Sequence, residues 1–419
     1  MSFQRLRGTH DVFGQQARDF RRVEDKACEV FARFGFEEIR TPVMEEKPVF
    51  TRALGTDTDV VQKEMYEFED RSKVQVALRP EGTAGIVRAY LENEFDKTQG
   101  LAKFFYSGPM FRSERPQAGR LRQFHQIGVE QLGIDSPYAD VETIHALTVF
   151  LDEIGAAGYK VRLNNLGTFE ERGDFKKKLK DYLTPHKAHL CEDCGRRFEK
   201  NVFRILDCKV ESCRKVIEKS PPISDYLSQP SKAHFAVVCE ALESAGVAFA
   251  LDPYMVRGLD YYTKTVFEVS HSKLGAQDAL AAGGRYDRLI ESFGGKPAGA
   301  VGFAIGVERL LMCLAAASQE KQSLPDTFFI AVLGETALKE GFKILSKLRS
   351  SGLSAQMDFS SKSLKGQMRL ADKIKSRWVL ILGDNEIQSG KVILKDMAQG
   401  AQKELKLDTV AQDLKKQQA

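Results

Sequence analysis

Five stretches of this chain gather charged, hydroxyl and phenolic side chains around glycines. VRGLDYYTKTVFEV, from Val256 to Val269, sets Arg257 beside Gly258, follows with Tyr261 and Tyr262, and runs out into a strand. The stretch delivers together a permanently charged guanidinium, a residue that permits close backbone approach and two phenols, which raises the question of what ligand needs all three. FFYSGPMFRSERPQAGRLRQFHQIGVEQLG, from Phe104 to Gly133, alternates at both ends like paired strands, with turn formers and charge in SERPQAGR between them. That pattern predicts a long hairpin with a mobile basic loop. Arg112 and Glu114, two apart on the first strand, share a face. Gln126, Gly128 and Glu130 share one on the second, and the glycine between two long polar side chains leaves a concavity for a small polar ligand. LRPEGTAG (Leu78 to Gly85) ends a strand in a turn with a carboxylate and a hydroxyl, GGRYDRL (Gly283 to Leu289) offers a close-approach glycine pair, and AVGFAIGVERLL (Ala300 to Leu311) leads into a helix that displays Arg309. Taken singly, each pattern also suits an exposed hairpin face or an ordinary enzyme core.

Side chains so scattered need a sheet to bring them together. QARDFRRVEDKACEVFARFGF spaces Phe20, Val23, Ala27, Val30, Phe31 and Phe34 at three- and four-residue intervals, which predicts an amphipathic helix ended by Gly35. FEEIRTPVMEEKPVF then reads as extended, with Pro42 barring helix. Runs at Val74 to Leu78, Lys103 to Met110 and Gln123 to Leu132 read as strands of one antiparallel sheet. From about 166 to 232 the texture turns polar and helical, as in an inserted subdomain. Strand texture resumes at Tyr262. AAASQEKQSLPDT reads as a linker, and beyond it TFFIAVLG, a helix to Leu348, SAQMDF, a basic helix and WVLILG alternate as in an α/β domain on a largely parallel sheet. The expected organisation is an α+β core on an antiparallel sheet over 1–325, including the helical insertion, and an α/β domain over 326–419.

Length favours two or three folded units. With 42% apolar and 29% charged residues and no apolar run long enough to span a bilayer, the composition is that of a soluble globular protein. The first residues lack the apolar core of a signal peptide, and seven unevenly spread cysteines suit reduced thiols, so a cytoplasmic location is expected. The net charge of +4 is unevenly divided. From Asp326 onward 16 Lys and Arg face 11 Asp and Glu, a net of +5, which leaves −1 for the first 325 residues. Six of those cations fall in KSLKGQMRLADKIKSR, Lys362 to Arg377, a patch suited to phosphate contacts and equally to a solvated helix face.

In this order, LRPEGTAG, the hairpin, GGRYDRL and AVGFAIGVERLL resemble the signature motifs of class II aminoacyl-tRNA synthetases, and VRGLDYYTKTVFEV resembles the segment peculiar to the histidyl-tRNA synthetase family. The likeness covers nearly the whole chain, from RGTHDVF (Arg7 to Phe13) through the Pro42 region, similar to the dimer-forming first motif, and KEMYEF to a C-terminal anticodon-binding domain. One departure from the wider class is Ala304, where the third motif has its middle glycine; histidine-specific members look similar there.

The resemblance implies activation of L-histidine by ATP, with Mg2+, to histidyl-adenylate and pyrophosphate, then transfer to the terminal adenosine of the histidine tRNA, by a homodimer without membrane association. It implies that Arg112 spans the histidine carboxylate and the α-phosphate, that Arg257 meets the α-phosphate from another side, and that Arg309 and Arg120 hold the outer phosphates. Phe124 is the implied adenine platform, with Glu114 nearby. Glu130 and Tyr262 are implied for the imidazole, Glu81, Thr83 and Gln126 for the α-amino group, and Gly82 and Tyr261 for the pocket wall. Arg115 and Gln117 are the implied readers of the acceptor end, where the family recognises an extra 5′ guanosine. Cys191 and Cys194, followed by Cys208 and Cys213, suggest structural zinc, yet the second pair is loosely spaced and free thiols in a helical insertion are the favoured reading. The competing function is a synthetase-like regulatory subunit of ATP phosphoribosyltransferase that binds histidine without aminoacylation. That class usually lacks the C-terminal domain and degrades the arginine set, and both are present here. A non-catalytic RNA-binding protein would leave Glu81, Gln126, Glu130 and the tyrosines without purpose.

Overall fold

The apolar spacing near the N-terminus becomes the helix Gly14–Arg33, whose Phe20, Val23, Ala27, Val30 and Phe31 are buried, and Gly35 ends it at a φ of +77°. The computed structural model describes residues 3–418 except 56–57, 118, 260, 276–277, 316–326 and 361–362. The chain divides into two compact units, residues 1–319 and 320–419. The linker expected at AAASQEKQSLPDT lies, but for its two end residues, outside the described residues.

The first unit is built on an eight-stranded sheet in the order β1 (Glu37–Glu38), β5 (Ala102–Phe111), β6 (Gln123–Leu132), β11 (Ala300–Gly306), β10 (Ala279–Arg285), β9 (Thr263–His271), β7 (Tyr159–Asn165) and β8 (Phe249–Leu251). Its six central strands are antiparallel, and only the edge strands β1 and β8 run parallel to their neighbours. The strand predicted at Val74 to Leu78 belongs elsewhere: β4 (Gln75–Leu78) lies between β2 (Met44–Glu46) and β3 (Glu67–Glu69) in a separate three-stranded sheet. Periodicity marks a strand but not its partner, which explains the error. KPVF is helical rather than extended, the start of Lys47–Leu54, because Pro48 occupies the first turn where its missing N–H costs nothing.

Alternation along the strands divides the sheet into two faces. Phe105, Ile127, Val129, Val161, Leu163, Phe267, Phe303 and Ile305 pack with residues of the helices Gly14–Arg33, Pro137–Ile154, Gln229–Ser244 and Val307–Ala315 in one core. The opposite face carries Tyr106, Gln126, Gly128 and Glu130. Between β7 and the helix Gln229–Ser244 the chain forms the expected helical insertion, with helices Phe169–Leu183, Glu192–Lys200 and Glu211–Ile217 joined by 3-10 turns.

In the second unit the sheet order is β13 (Ala355–Met357), β12 (Phe328–Val332), β14 (Trp378–Leu382), β15 (Lys391–Asp396) and β16 (Gln402–Lys406). The largely parallel sheet expected here is mixed: β12 pairs parallel with β13 and β14, but β14, β15 and β16 form an antiparallel meander. The basic helix Leu364–Lys373 is held to β12 by Gln367, a buried amide that accepts from Val332 N and donates to Val332 O at 2.9 and 2.7 Å. Lys365, Arg369, Lys373, Lys375 and Arg377 stay exposed.

Candidate active site

Register on β5, β6 and β11 builds the floor of the site. Glu130 lies between Phe104 and Gly302, Gly128 between Tyr106 and Ala304, and Gln126 between Gly108 and Gly306. Gly302 is obligatory there, because a Cβ would stand 1.8 Å from Glu130 Oε2 and 2.4 Å from Val129 O. The concavity expected over Gly128 is filled by Tyr106, whose ring would lie 2.5–2.6 Å from a Cβ on Gly128 or Gly82. Both glycines leave room for that phenol. Above this floor is a cavity of about 320 Å3.

At the closed end Glu130 is 1% exposed and accepts from Thr83 Oγ1 at 2.6 Å and from the Tyr286 hydroxyl. Burial pushes its carboxyl up to about 8, with the two hydroxyl donors opposing and the charge of Glu81 adding to the rise. Glu81, also buried, accepts from the backbone N–H groups of Thr83 and Ala84 at 2.7 and 2.9 Å at the start of the helix Thr83–Glu92. Burial nevertheless raises its pKa above the ordinary carboxylate value. Gln126 Oε1 and the Tyr106 hydroxyl are buried without a hydrogen-bond partner among the described residues. An unpartnered buried acceptor costs about 1–3 kcal/mol, so Gln126 is poised for a donor from a ligand. Tyr261 and Tyr262 cover the pocket with ring centroids 4.7 Å apart, and Tyr261 meets Tyr286 edge-on at 5.5 Å. Burial lifts the Tyr262 phenol to about 12, against the pull of Arg257, so it stays protonated and able to donate.

The open end is cationic. Arg112, Arg120, Arg257 and Arg309 all line the cavity. Arg112 and Glu114 do not sit on the first strand as expected, since β5 ends at Phe111. Arg112 instead stacks over Phe124, 5.4 Å to the ring centroid, and donates Nε to Pro80 O at 2.9 Å. Glu114 approaches Arg120 at 3.2 Å and Arg112 at 4.0 Å. Arg257 is paired to Glu268 at 2.7 Å; although burial works to lower its pKa, Glu268, with Tyr262 and Asp207, holds it above the ordinary value. Its Nε lacks a hydrogen-bond partner among the described residues. Arg309 is lowered by burial and then by the facing charge of Arg120, a repulsion that an anion between the two would relieve.

Arg115 and Gln117 are exposed at the hairpin tip, away from that cavity, where Gln117 and Arg120 pair through both backbone groups at 3.1 and 2.9 Å. Ser113 N donates to Glu64 O at 2.6 Å and Arg122 N to Gly8 O at 2.7 Å, so both arms of the loop are tied down. Gln117 lines a second cavity of about 1190 Å3 beside residues 4–11. His125 faces away from the site, against Glu308 at 2.9 Å. Gly258 has open space at its Cβ position, so the protein itself does not crowd it; its carbonyl accepts from Arg204 of the insertion at 2.7 Å.

Sequence reasoning missed Tyr106, Tyr286 and Glu268. Tyr286 stands within GGRYDRL, where the glycine pair is the more conspicuous feature, and Glu268 is the lone carboxylate of the strand Thr263–His271, with Val266, Phe267 and Val269 around it. Arg285 of that motif is structural: fully buried, it pairs with Asp140 at 2.8 Å and binds the carbonyls of Ile134 and Ser136.

The family model described as histidyl-tRNA synthetase matches residues 8–310, and the anticodon binding domain matches 327–417. The chain is 43% identical over 408 residues to the histidine--tRNA ligase of Thermodesulfovibrio yellowstonii, covering 97% of each. Apo histidyl-tRNA synthetase from S. aureus superposes with a TM-score of 0.82 at 31% identity, over 99% of this chain and 100% of that one. A Bacillus halodurans structure described as an ATP phosphoribosyltransferase regulatory subunit/histidyl-tRNA synthetase matches 91% of this chain and 99% of its own, with a TM-score of 0.67; its 21% identity speaks to the fold alone.

Proposed function

The chain belongs to the histidyl-tRNA synthetase family, and from that premise we propose how its residues divide the work. It is an aminoacyl-tRNA synthetase that activates histidine with ATP, releasing pyrophosphate, and transfers the histidyl group to the 3′ end of the histidine tRNA. In the first step a carboxylate attacks the α-phosphate, and two anions must meet. Arg112 and Arg257 offset that repulsion at the reacting atoms, while Arg309 and Arg120 take the outgoing phosphates. Arg257 is well fitted because its Glu268 partner leaves Nε free and fixes the guanidinium plane. Phe124, already stacked on Arg112, offers the other face of its ring to adenine.

Magnesium fits the open end. Burial and then the charge of Glu114 push Glu64 upward, a carboxylate pair that a cation would relieve. Glu114 would hold the ion, and the metal would supply further neutralisation of phosphate charge.

Histidine selection falls to the closed end. Glu130 and the Tyr262 phenol face the imidazole, and Glu81, Thr83 and Gln126 take the α-amino group, with Gly82 and Tyr261 as walls. The observation that carries this reading is the buried Glu130, Thr83 and Tyr286 cluster beside the unpartnered amide oxygen of Gln126, beneath four arginines.

The acceptor end would reach Arg115 and Gln117 at the hairpin tip, and the exposed cations of the helix Leu364–Lys373 would meet anticodon-loop phosphates. A homodimer is supported by exposed Val43, Met44, Phe68 and Val74 on and beside the three-stranded sheet. A cytoplasmic location agrees with seven unpaired cysteines; among the described residues no helix is long and apolar enough to cross a membrane. The test is pyrophosphate exchange into ATP with each amino acid in turn. Histidine alone should support it, and exchange with another amino acid at a comparable rate would break the pocket assignment.

A further inference from the structure

The insertion contains a cluster that the ligation chemistry does not use. Cys191 stands at the start of the helix Glu192–Lys200, Cys194 lies one turn into it, Cys208 follows the 3-10 segment Val202–Asp207, and Cys213 lies in the helix Glu211–Ile217. Their four Sγ atoms all fall within 4.8 Å of one another, and Cys191 Sγ is 3.8 Å from Cys208 Sγ. A tetrahedral site with Zn–S bonds of about 2.3 Å has S···S edges of about 3.8 Å. The arrangement is therefore that of a metal site, and all four cysteines are free thiols rather than two disulfides. Cys194, Cys208 and Cys213 are buried, and the backbone N–H of Cys191 points at Cys213 Sγ at 3.1 Å, the kind of contact that stabilises a thiolate ligand. The spacing between Cys208 and Cys213, which weakened the zinc reading in the sequence, is spanned by a bend into a new helix that returns the second thiol to the first pair.

We infer that these four cysteines bind one structural Zn2+ ion that staples the insertion. The helices carrying them are nine and seven residues long, too short to stand without tertiary support. Four thiolates close the coordination shell, so the ion has no open position for catalysis. Its influence on the active site is mechanical. Arg204, four residues before Cys208, donates to Gly258 O, next to Arg257. Fixing the Val202–Cys208 segment fixes the backbone that presents Arg257.

The test is metal analysis of the full chain purified under reducing conditions without chelator. About one zinc per chain is expected, and it should be released when a mercurial thiol reagent modifies the cysteines. Cys194→Ser and Cys213→Ser should each lower zinc retention against a chelator at least tenfold, and Cys28→Ser, outside the cluster, should retain it. Cobalt(II) added to the metal-free wild-type chain should give a tetrahedral thiolate spectrum, a readout that does not depend on the variants folding. Zinc below a tenth of an equivalent with no cobalt spectrum would overturn the inference. So would iron in place of zinc, or full zinc retention by both cluster variants.

Discussion

Glu130 offers the sharpest test of the pocket, through the pH dependence of histidine binding. Its carboxyl is pushed up to about 8, while a free imidazole titrates near 6.5. If the two meet in the complex, they share one proton whichever partner brings it. Below about pH 6.5 both partners carry a proton and one must leave; above about pH 8 neither does and one must be taken up. Affinity should therefore peak near pH 7 and fall roughly tenfold, or about 1.4 kcal/mol, by about pH 5.5 and again by about pH 9. Glu130→Gln keeps an acceptor and the shape but cannot titrate. The variant should bind histidine ten- to a hundredfold more weakly at neutral pH, as expected for about 1.5–3 kcal/mol of charged hydrogen bonding. It should also lose the share of the alkaline limb that belongs to Glu130, while keeping any share due to the substrate's amino group. Calorimetric titration in buffers of different ionisation heat measures both affinity and proton uptake. The same shift acts on folding. An acid whose folded pKa lies above its unfolded value of 4.5 binds more protons when folded, so its contribution to stability falls as pH rises from about 4.5 to 8. The loss by neutral pH is roughly 3 kcal/mol, and the variant's denaturation midpoint should be correspondingly flatter in that window. Identical alkaline limbs in wild type and Glu130→Gln would refute the reasoning.

Arg257→Lys keeps a charge opposite Glu268 but loses the fork, and histidine-dependent pyrophosphate exchange should fall about a hundredfold with tRNA affinity within twofold; exchange at the wild-type rate would remove Arg257 from the reaction. Gly302→Ala puts a Cβ 1.8 Å from Glu130 Oε2, so histidine KM should rise at least tenfold and stability drop by about 1–3 kcal/mol, read by steady-state kinetics and thermal unfolding. Replacing Lys365, Arg369 and Lys373 together with Ala should weaken tRNA binding and lower its logarithmic salt slope by about 0.7–0.9 for each phosphate no longer neutralised, with exchange unchanged; an unchanged slope would make that helix a solvated surface.

Much of the site was legible because its residues cluster in short, ordered segments. The two-residue period of β6 alone placed Gln126, Gly128 and Glu130 on one face, and the helical period of the first segment gave the layer behind the sheet. Three-dimensional partners were less legible. Nothing local says that Tyr106 on β5 would lie between Gly82 and Gly128, because that packing joins a turn and two strands. Strand order was invisible for the same reason, so β4 was placed in the wrong sheet and the C-terminal sheet was read as more parallel than it is. The position of Glu114 failed at a boundary, where a strand was expected to carry residues up to three positions past its end at Phe111.

These misses share a cause that bears on how histidine is chosen. In the sequence the glycines suggest room for ligand, yet Gly82, Gly128 and Gly302 make room for the protein's own Tyr106 and Glu130. Tyr106 packs against Gly82 and Gly128 and Glu130 against Gly302, so the ligand meets a polar floor already seated on backbone. An apolar amino acid of similar size would leave the Tyr262 hydroxyl without its imidazole partner and the Glu130 carboxyl facing hydrocarbon. With about 1–3 kcal/mol for each buried group left unpaired, two such groups discriminate by roughly 30-fold to 10⁴-fold. A charged competitor such as lysine can pair with Glu130, but its flexible chain must carry an ammonium beneath Tyr261 and Tyr262 at the desolvation cost of a buried ion. A planar ring with two nitrogen atoms can share a proton with Glu130 and a hydrogen bond with Tyr262 without carrying a fixed charge into the pocket. Selection at the binding step is then strong enough that a second, hydrolytic sieve adds little, and the glycines that seat the floor become residues on which specificity depends.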